Sequence, residues 1–314
     1  MLGGDLYAPI FSDLDYWMVF LVCLLPPAPH TPPSFATADC MSTSTTIHLP
    51  SKPPRVTLVV NTFDAPEALE KVLSEVNRQS MGPMEVLIAD DGSGPATIEL
   101  LDSWKRRLNF PLTHVWQPHE GFRRTHVLNQ AIIQAAGDYL VFLDGDCVPH
   151  AEFVADHVAL AEPGHWVQAR RCFVKEQYVP NFDLSRVSVA GWVLGRRIEQ
   201  GLKAFRTPWQ SVRFDKDLRG VIGCNLGIWR GDLVAVNGYD ESFTGWGRED
   251  SDLAARLFHL GRSRKFVRGR AVVFHLNHPV ASRAQLESNQ ARLDETLATK
   301  RVRAVRGIQE RMPA

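Results

Sequence analysis

Asp144 and Asp146 stand on either side of Gly145, directly after an apolar run of the sequence. Two carboxylates with this spacing can both face one hard divalent cation, and the glycine lets the backbone or a ligand approach closely. A cation held there would act as a Lewis acid on the charge that grows on a departing diphosphate. Asp and Gly are also common in ordinary turns. The place at the end of a buried strand favours the metal site over a plain turn.

The segment 245–252 gathers a second group of acids, because Glu249, Asp250 and Asp252 follow Trp246 closely. Acids at a helix N-terminus stabilise the helix dipole, and that role accounts for Asp252. Helix capping does not account for the glycines on both sides of Trp246. A tryptophan in such a loop suits the face of a sugar ring, and a neighbouring carboxylate suits a general base.

Two further groups of polar residues are candidates for ligand binding. Asp91, within the segment 90–93, can accept hydrogen bonds from a base N–H or a ribose hydroxyl, although a turn is the alternative. His275 and His278 follow a predicted strand over residues 271–274, and a neutral imidazole there can complete the coordination of the cation. A structural role for these histidines stays equally open, and the sequence does not decide between the two.

An alternation of short β-type runs and helical patterns from Arg55 onward predicts the elements that position these residues. The fully apolar run 139–143 suits a central strand that is covered on both faces. Asp64, with Glu67 three residues later, predicts an N-cap for the first helix. The predicted strands are 56–60, 86–89, 112–116 and 139–143, and the predicted helices lie at 64–79, 98–108 and 125–136.

Three polar loops, 61–64, 90–94 and 144–146, directly follow predicted strands. Ligands of open α/β sheets bind outside the carboxyl ends of the strands. We therefore expect these three loops to converge on one crevice.

The sequence after residue 165 is less regular and rich in tryptophan and glycine, which predicts a subdomain that faces the substrate. A polar helical pattern follows, with Leu286, Leu293 and Leu297 on one side, and ends in the basic stretch 300–306. A basic helix of this kind can lie on anionic lipid beside a lipid-linked acceptor. A solvated helix face is the favoured interpretation.

The composition excludes several classes of protein. Apolar residues make up 45% and charged residues 22% of the 314 residues, which is ordinary for a globular chain. Lys plus Arg equals Asp plus Glu at 35 each, so no net field favours nucleic acid as a partner. The five cysteines form no Cys-x-x-Cys pair, which disfavours a disulfide framework or structural zinc and fits a reducing, cytoplasmic setting. Phosphate-loop and dinucleotide-binding glycine motifs are missing.

Residues 1–54 predict a disordered leader, since nine of the twenty prolines fall there. The apolar run Tyr16–Leu25 has ten residues, about half of what a bilayer-spanning helix needs. A signal peptide would carry a basic residue ahead of that run, yet the first Lys or Arg is Lys52. Met41, followed by Ser-Thr-Ser-Thr-Thr, is a sensible start, so residues 1–40 are suspected not to belong to the native protein.

Eight short motifs between residues 55 and 280 recur together in one known group of proteins. They are Val59–Asp64, Ala89–Ser93, Gly121–Arg123, Asn129–Ala131, Gly137–Asp146, Gly223–Asn225, Gly238–Glu241 and Gly245–Asp250. The first five resemble the family-2 nucleotide-sugar glycosyltransferases of the GT-A fold. The last three resemble the C-terminal segment shared by β1,4-galactosyltransferases and bacterial chondroitin polymerase.

The resemblance implies a GT-A architecture. This is an α/β fold in which a Rossmann-like, mostly parallel central sheet carries helices on both faces and is joined by an acceptor-side subdomain. The expected division of the chain is a leader over 1–54, a donor-binding half over 55–165, an acceptor-side half over 166–280 and a basic C-terminal helix over 281–314.

The resemblance also implies roles for individual residues and a Mn²⁺ or Mg²⁺ cofactor. Two departures concern the donor and the acceptor: Asn61 stands where the family usually has proline, and Arg248 replaces the second glycine of the animal galactosyltransferase motif. The implied donor-binding residues are Asn61, Phe63, Asp91, Arg123 and Asp144; the acceptor-binding residues are Trp246, Glu249 and Asn225; the catalytic residues are Asp250, as base, and Glu249; and the metal ligands are Asp144, Asp146 and His275.

The function expected from these motifs is an inverting transfer of a sugar from a UDP-sugar, or another nucleoside diphosphate sugar, to a hydroxyl of a glycan, lipopolysaccharide or polysaccharide acceptor. The expected setting is a bacterial surface-glycan pathway, in the cytoplasm or at the inner face of the membrane. A metal-dependent nucleotidyltransferase is one alternative, but residues 61–66 lack its basic, glycine-rich phosphate loop. An inactive glycan-binding protein is another, and the retention of every required acid speaks against it.

Overall fold

The computed structural model describes residues 52–207, 211–278 and 282–311. The described residues belong to one compact unit. The apolar run Tyr16–Leu25 and the proposed start at Met41 lie outside them. Within the described ranges, no helix is long and apolar enough to cross a membrane.

An eight-stranded sheet forms the centre of the fold. Its first four strands are mutually parallel, and the next strand joins them in the antiparallel direction. In spatial order the strands are β3 (Leu112–Trp116), β2 (Glu85–Asp90), β1 (Val56–Thr62), β4 (Tyr139–Asp144), β10 (Asn225–Trp229), β6 (His165–Gln168), β11 (Ser263–Arg268) and β9 (Ser211–Asp215). A second sheet contains β5 (Cys147–Pro149), β12 (Val273–Leu276), β7 (Arg171–Val174) and β8 (Ile198–Glu199).

Helices cover both faces of the large sheet. Successive side chains of a strand point to opposite faces, so a strand that is apolar throughout needs cover on both. Leu58 of β1 packs in one hydrophobic core with Leu69 of the first helix, whereas Val59 packs in the other core with Val127. The predicted α/β class with a doubly covered sheet is therefore confirmed. The helices are α1 (Pro66–Val76), α2 (Pro95–Arg107), α3 (Arg124–Gln134), α4 (Phe153–Leu160), α5 (Val189–Leu194), α6 (Arg230–Ala235), α7 (Glu249–His259) and α8 (Leu286–Thr299).

The two predicted halves share the large sheet. The proposed boundary between residues 165 and 166 falls inside β6, and β10 pairs with β4 on one side and β6 on the other. Within the described residues, the strand β10 of the second predicted half therefore continues the sheet that the first half begins.

Two local predictions were wrong. The N-cap of α1 is Ala65 and not Asp64. Oδ1 of Asp64 accepts the Gly94 N–H at 2.8 Å, so this side chain links two loops instead of capping the helix. The strand expected over 271–274 is shifted to Val273–Leu276, since Ala271 has a φ of 48° and cannot continue an extended strand. His275 therefore lies within β12 and not after it.

The C-terminal helix expected over 281–314 is shorter than predicted, and the basic stretch 300–306 is not helical. Helix α8 ends at Thr299, because Lys300 adopts a left-handed backbone with a φ of 51°. The basic residues after it lie outside the helix, and Arg303 donates to the Ala235 carbonyl at 2.9 Å. Farther on, Arg311 contacts Glu241 and donates to His126 Nδ1 of α3 at 2.7 Å. This tail, residues 300–311, packs on the fold, so the basic helix face proposed for lipid does not form.

Candidate functional site

The loops that follow β1, β2 and β4 meet, as the sequence predicted. The Asp64 N–H donates to Ser93 Oγ at 2.8 Å, which joins the first two loops. The Gly145 N–H donates to the Asn61 carbonyl at 2.7 Å, which joins the first to the third. A Cβ at position 145 would lie 2.9 Å from that carbonyl, so glycine is needed for the approach. The carboxyl ends of three parallel strands thus form one crevice.

Phe63 and Asp91 line the side of the crevice formed by β1 and β2. The ring of Phe63 is exposed on one face and stacks on His119, with ring centres 4.4 Å apart. The Asp91 carboxylate is buried and accepts from Gln117 Nε2 at 2.6 Å and from the Arg123 backbone N–H at 2.7 Å. Burial raises the pKa of Asp91, although these two hydrogen bonds oppose the rise.

The Arg123 side chain points along its own loop. Its guanidinium donates to the Pro118 carbonyl at 2.9 Å and pairs with Glu120 at 2.8 Å. The part of Arg123 that reaches the predicted donor residues is its backbone N–H, bound to Asp91. The backbone of this loop therefore contacts Asp91, while the Arg123 side chain contacts the loop itself.

Asp146 lies beside two imidazoles, because β5 pairs with β12 and sets Cys147 opposite His275. Asp146 Oδ2 is 2.9 Å from His278 Nε2 and 3.6 Å from His275 Nε2. Burial by itself would raise the pKa of Asp146, but the hydrogen bond from His278 and the positive charge that His275 and His278 carry when protonated lower it below its usual value. Burial lowers the pKa of His275 to about 4, so this ring is neutral at pH 7.

This group fits a divalent cation. One carboxylate and two imidazole nitrogens face one another within 4.8 Å. Asp146 Oδ1 is buried and, among the described residues, accepts no hydrogen bond, which leaves an acceptor available for a ligand. Oxygen and neutral imidazole ligands suit divalent metals such as Mn²⁺. The sequence left His275 and His278 as alternatives, and both lie against the same carboxylate.

Asp144 takes a different direction from Asp146. Its carboxylate approaches Arg124 Nη2 at 3.3 Å and shares a second group of atoms within 4.8 Å with the buried thiols of Cys147 and Cys224. Burial raises the pKa of Asp144 to about 6; the charge of Arg124 lowers it, and that of Asp146 raises it. The two acids of the Asp-Gly-Asp motif therefore have different closest partners.

Arg124, the first residue of α3, joins the acids of both halves. Its Nη1 lies 3.1 Å from Asp250 and 3.5 Å from Glu249, while Nη2 contacts Asp144. Burial alone would lower the pKa of Arg124, but the charges of Asp250, Asp144 and Glu249 raise it well above its usual value. Sequence reasoning missed this residue. The available signal was electrostatic, because converging buried acids require a fixed cation and Arg124 follows directly after a recognised motif.

Glu249 and Asp250 begin α7 but differ in access. The Glu249 side chain is only 7% exposed and accepts the Gly247 N–H at 3.0 Å, so it shapes the glycine-flanked loop. Burial and the Asp250 charge raise the pKa of Glu249 to about 7. Asp250 is 18% exposed and is therefore the more accessible carboxylate. Trp246 beside them is 38% exposed, with the Arg283 guanidinium 5.5 Å from its ring centre.

The acceptor-binding role expected for Asn225 is not supported. The side chain is fully buried; its Oδ1 accepts from His157 Nε2 at 3.0 Å, and its Nδ2 donates to the Ala271 carbonyl at 2.8 Å. An amide engaged in this way holds β10 against neighbouring segments. The resemblance of the Gly223–Asn225 motif suggested this role, and the full burial of Asn225 speaks against it.

The family model described as Glycosyl transferase family 2 matches residues 57–219, which is more than half of the chain. The chain belongs to glycosyl transferase family 2. A second model, described as the N-terminal domain of galactosyltransferase, matches residues 203–279. The resemblance inferred from the short motifs is therefore confirmed on both sides of the crevice.

Curated family 2 relatives align with most of this chain. Validoxylamine A glucosyltransferase of Streptomyces hygroscopicus subsp. limoneus is 26% identical over 231 residues, covering 66% of this chain and 49% of the relative. Chondroitin synthase of Escherichia coli is 24% identical over 244 residues, covering 71% and 35% respectively. The chain thus spans half or less of the length of these two relatives.

A solved structure supports the GT-A fold. It is the mannosyltransferase PcManGT from Pyrobaculum calidifontis in complex with GDP-Man and Mn²⁺, with a TM-score of 0.51 and 21% identity over 91% of this chain and 70% of the other. At this identity the likeness concerns the fold. The predicted architecture is confirmed on that basis.

Proposed function

We propose that this protein transfers a sugar, with inversion, from a nucleoside diphosphate sugar to a hydroxyl of a glycan, lipopolysaccharide or polysaccharide acceptor. The observation that carries the proposal is the position of Asp250. It is a partly exposed carboxylate beside Trp246, and it is joined through Arg124 to Asp144 at the end of β4. This arrangement supports a proposal in which Asp250 is the base, Trp246 binds the acceptor sugar and Asp144 lies on the donor side.

The reaction is a single displacement at the anomeric carbon. Asp250 accepts the proton of the acceptor hydroxyl as that oxygen forms the new bond to the anomeric carbon, and the bond to the diphosphate oxygen breaks. The nucleoside diphosphate leaves with the bonding electron pair. Trp246 orients the acceptor sugar by contact with its apolar ring face. Glu249 keeps the loop in shape through the Gly247 N–H.

The donor is proposed to bind on the other side of the crevice. Phe63 offers an exposed ring face to a base such as uracil, and Asn61 and Asp91 offer polar atoms to the base and ribose. Asp146 with His275 or His278, and Asp144, would hold a Mn²⁺ or Mg²⁺ ion. When bound, that ion supplies Lewis-acid neutralisation of the diphosphate charge.

Release of nucleoside diphosphate from UDP- and GDP-sugars, with Mn²⁺ present, tests the proposal. Asp250→Asn is expected to abolish transfer while donor binding, measured by calorimetry at saturating Mn²⁺, stays unchanged. Asp294→Asn, which changes an exposed acid on α8, is the matched control. Release of pyrophosphate from a nucleoside triphosphate and a sugar 1-phosphate would instead indicate a nucleotidyltransferase, and glycan binding without any release would indicate a glycan-binding protein. Retained turnover in Asp250→Asn would refute the assigned base.

A further inference from the structure

Arg124 is shared between two groups of acids that the proposed reaction uses for different purposes. One end of its guanidinium meets Asp250, the proposed base, at 3.1 Å. The other end meets Asp144, a proposed metal ligand, at 3.3 Å. The side chain is 8% exposed, so water screens these contacts poorly. A change at Asp144 therefore alters the contact of Arg124 with Asp250, and a change at Asp250 alters its contact with Asp144.

The guanidinium occupies the place of a cation at Asp144. The nearest ligand atoms to Asp146 come from His275 and His278, whereas Asp144 faces Arg124. A divalent ion that uses both acids must draw Asp144 away from the arginine, because two cations on one carboxylate repel each other. The surroundings restrict the arginine: a Cβ at Gly223 would lie 2.6 Å from Nη2.

We infer that Arg124 is a built-in counterion that competes with the divalent cation for Asp144 and thereby couples cation loading to the positioning of Asp250. This inference rests on the proposed function. Without the cation, Arg124 balances Asp144, Asp250 and Glu249. With the cation, the guanidinium turns wholly to the acceptor-side acids and fixes the base. Arg124 is a positioning residue in this scheme, since it acts through Asp250.

Calorimetric titration of Mn²⁺ into the full chain, without donor and at about pH 8, separates this role from a structural one. Arg124→Gln is expected to bind Mn²⁺ about tenfold more tightly while its kcat falls at least tenfold. Arg124→Lys, which keeps the charge, is expected to remain within about threefold of wild-type Mn²⁺ affinity. Arg256→Gln removes another buried arginine, bound to Asp252 on α7, and is expected to lower the melting temperature without tighter Mn²⁺ binding.

Several outcomes would overturn the inference. Unchanged or weaker Mn²⁺ binding by Arg124→Gln, with normal binding by wild type, would refute the competition and leave the proposed function intact. Wild-type protein that binds no Mn²⁺ would refute the cation site as well. If Arg124→Gln does not fold, Asp250→Asn tests the competition from the other side. Release from Asp250 should strengthen the Arg124 contact with Asp144 and weaken Mn²⁺ binding at least threefold; unchanged affinity would refute it.

Discussion

Asp250 rests directly against the backbone of Gly223: a Cβ at position 223 would lie 2.4 Å from Asp250 Oδ1. The same Cβ would meet Arg124 Nη2 at 2.6 Å. The segment that leads into β10 can therefore approach the N-terminus of α7 closely only because residue 223 has no side chain. Glycine here is required by the close packing of the proposed catalytic centre, and not by a left-handed backbone conformation.

Gly223→Ala is expected to lower kcat at least a hundredfold, because the methyl group separates Asp250 from Arg124. Overpacking of this kind also costs about 1–3 kcal/mol of unfolding free energy. Gly231→Ala is the matched control, since nothing lies within 4 Å of a Cβ there. Steady-state kinetics with thermal unfolding checks both variants. Wild-type kcat in Gly223→Ala would contradict the steric argument.

Phe63→Ala is expected to raise the KM for the donor about tenfold with little change in kcat, because a base loses its stacking surface. Phe214→Ala provides the control: Phe214 is also exposed and also packs on a histidine, His165, with ring centres 4.8 Å apart. Initial rates at varied donor concentration give both constants. An equal rise of the donor KM in both variants would contradict a specific contact between Phe63 and the base.

His278→Ala is expected to weaken Mn²⁺ binding by about tenfold or more, because it removes a nitrogen that faces Asp146. The side chain is half exposed, so the melting temperature should change little. His165→Ala, which removes another imidazole near a carboxylate, is the control for Mn²⁺ titration. Full Mn²⁺ affinity in His278→Ala would leave His275 as the single imidazole ligand.

Burial lowers the pKa of His157 to about 4, from an ordinary value of 6.5. The unfolded chain therefore binds a proton at a higher pH than the folded chain, so stability falls as pH drops from about 6.5 to about 4. At about 1.4 kcal/mol per unit, the loss approaches about 3 kcal/mol. Urea unfolding across this range should show a shallower pH dependence for His157→Gln than for wild type. Parallel profiles would assign the acid sensitivity to other groups.

The strand ends were predictable because apolar runs and polar loops alternate with a clear period. The loops around Asn61, Asp91 and Asp144 follow from that pattern and from the geometry of parallel sheets. The placement of His275 beside Asp146 was harder, since it depends on the pairing of β5 with β12, which joins segments more than a hundred residues apart. The sequence named both His275 and His278 as candidates, the resemblance implied His275, and the fold brings both to the same carboxylate.

Tertiary context explains the errors. Asn225 carries a polar amide in a recognised motif, and nothing local reveals that its partners are His157 and the Ala271 carbonyl. Arg124 and Arg123 are adjacent and chemically identical, and only the start of α3 decides which one enters the acid cluster. Lys300 ends α8 with a left-handed backbone, which a lysine at this position does not predict.

The packing of residues 300–311 constrains the order in which the protein folds. Arg311 reaches Glu241, and Glu241 also accepts from Asn129 of α3 at 3.0 Å, so this late segment braces the helix that begins with Arg124. Because Asp91, Asp144, Asp146 and Asp250 all precede Arg311 in the sequence, these acids are synthesised before the contact with Arg311 can form. The crevice is therefore expected to complete its folding only after residue 311 has been synthesised. Arg124 is then held in place beside the carboxylates.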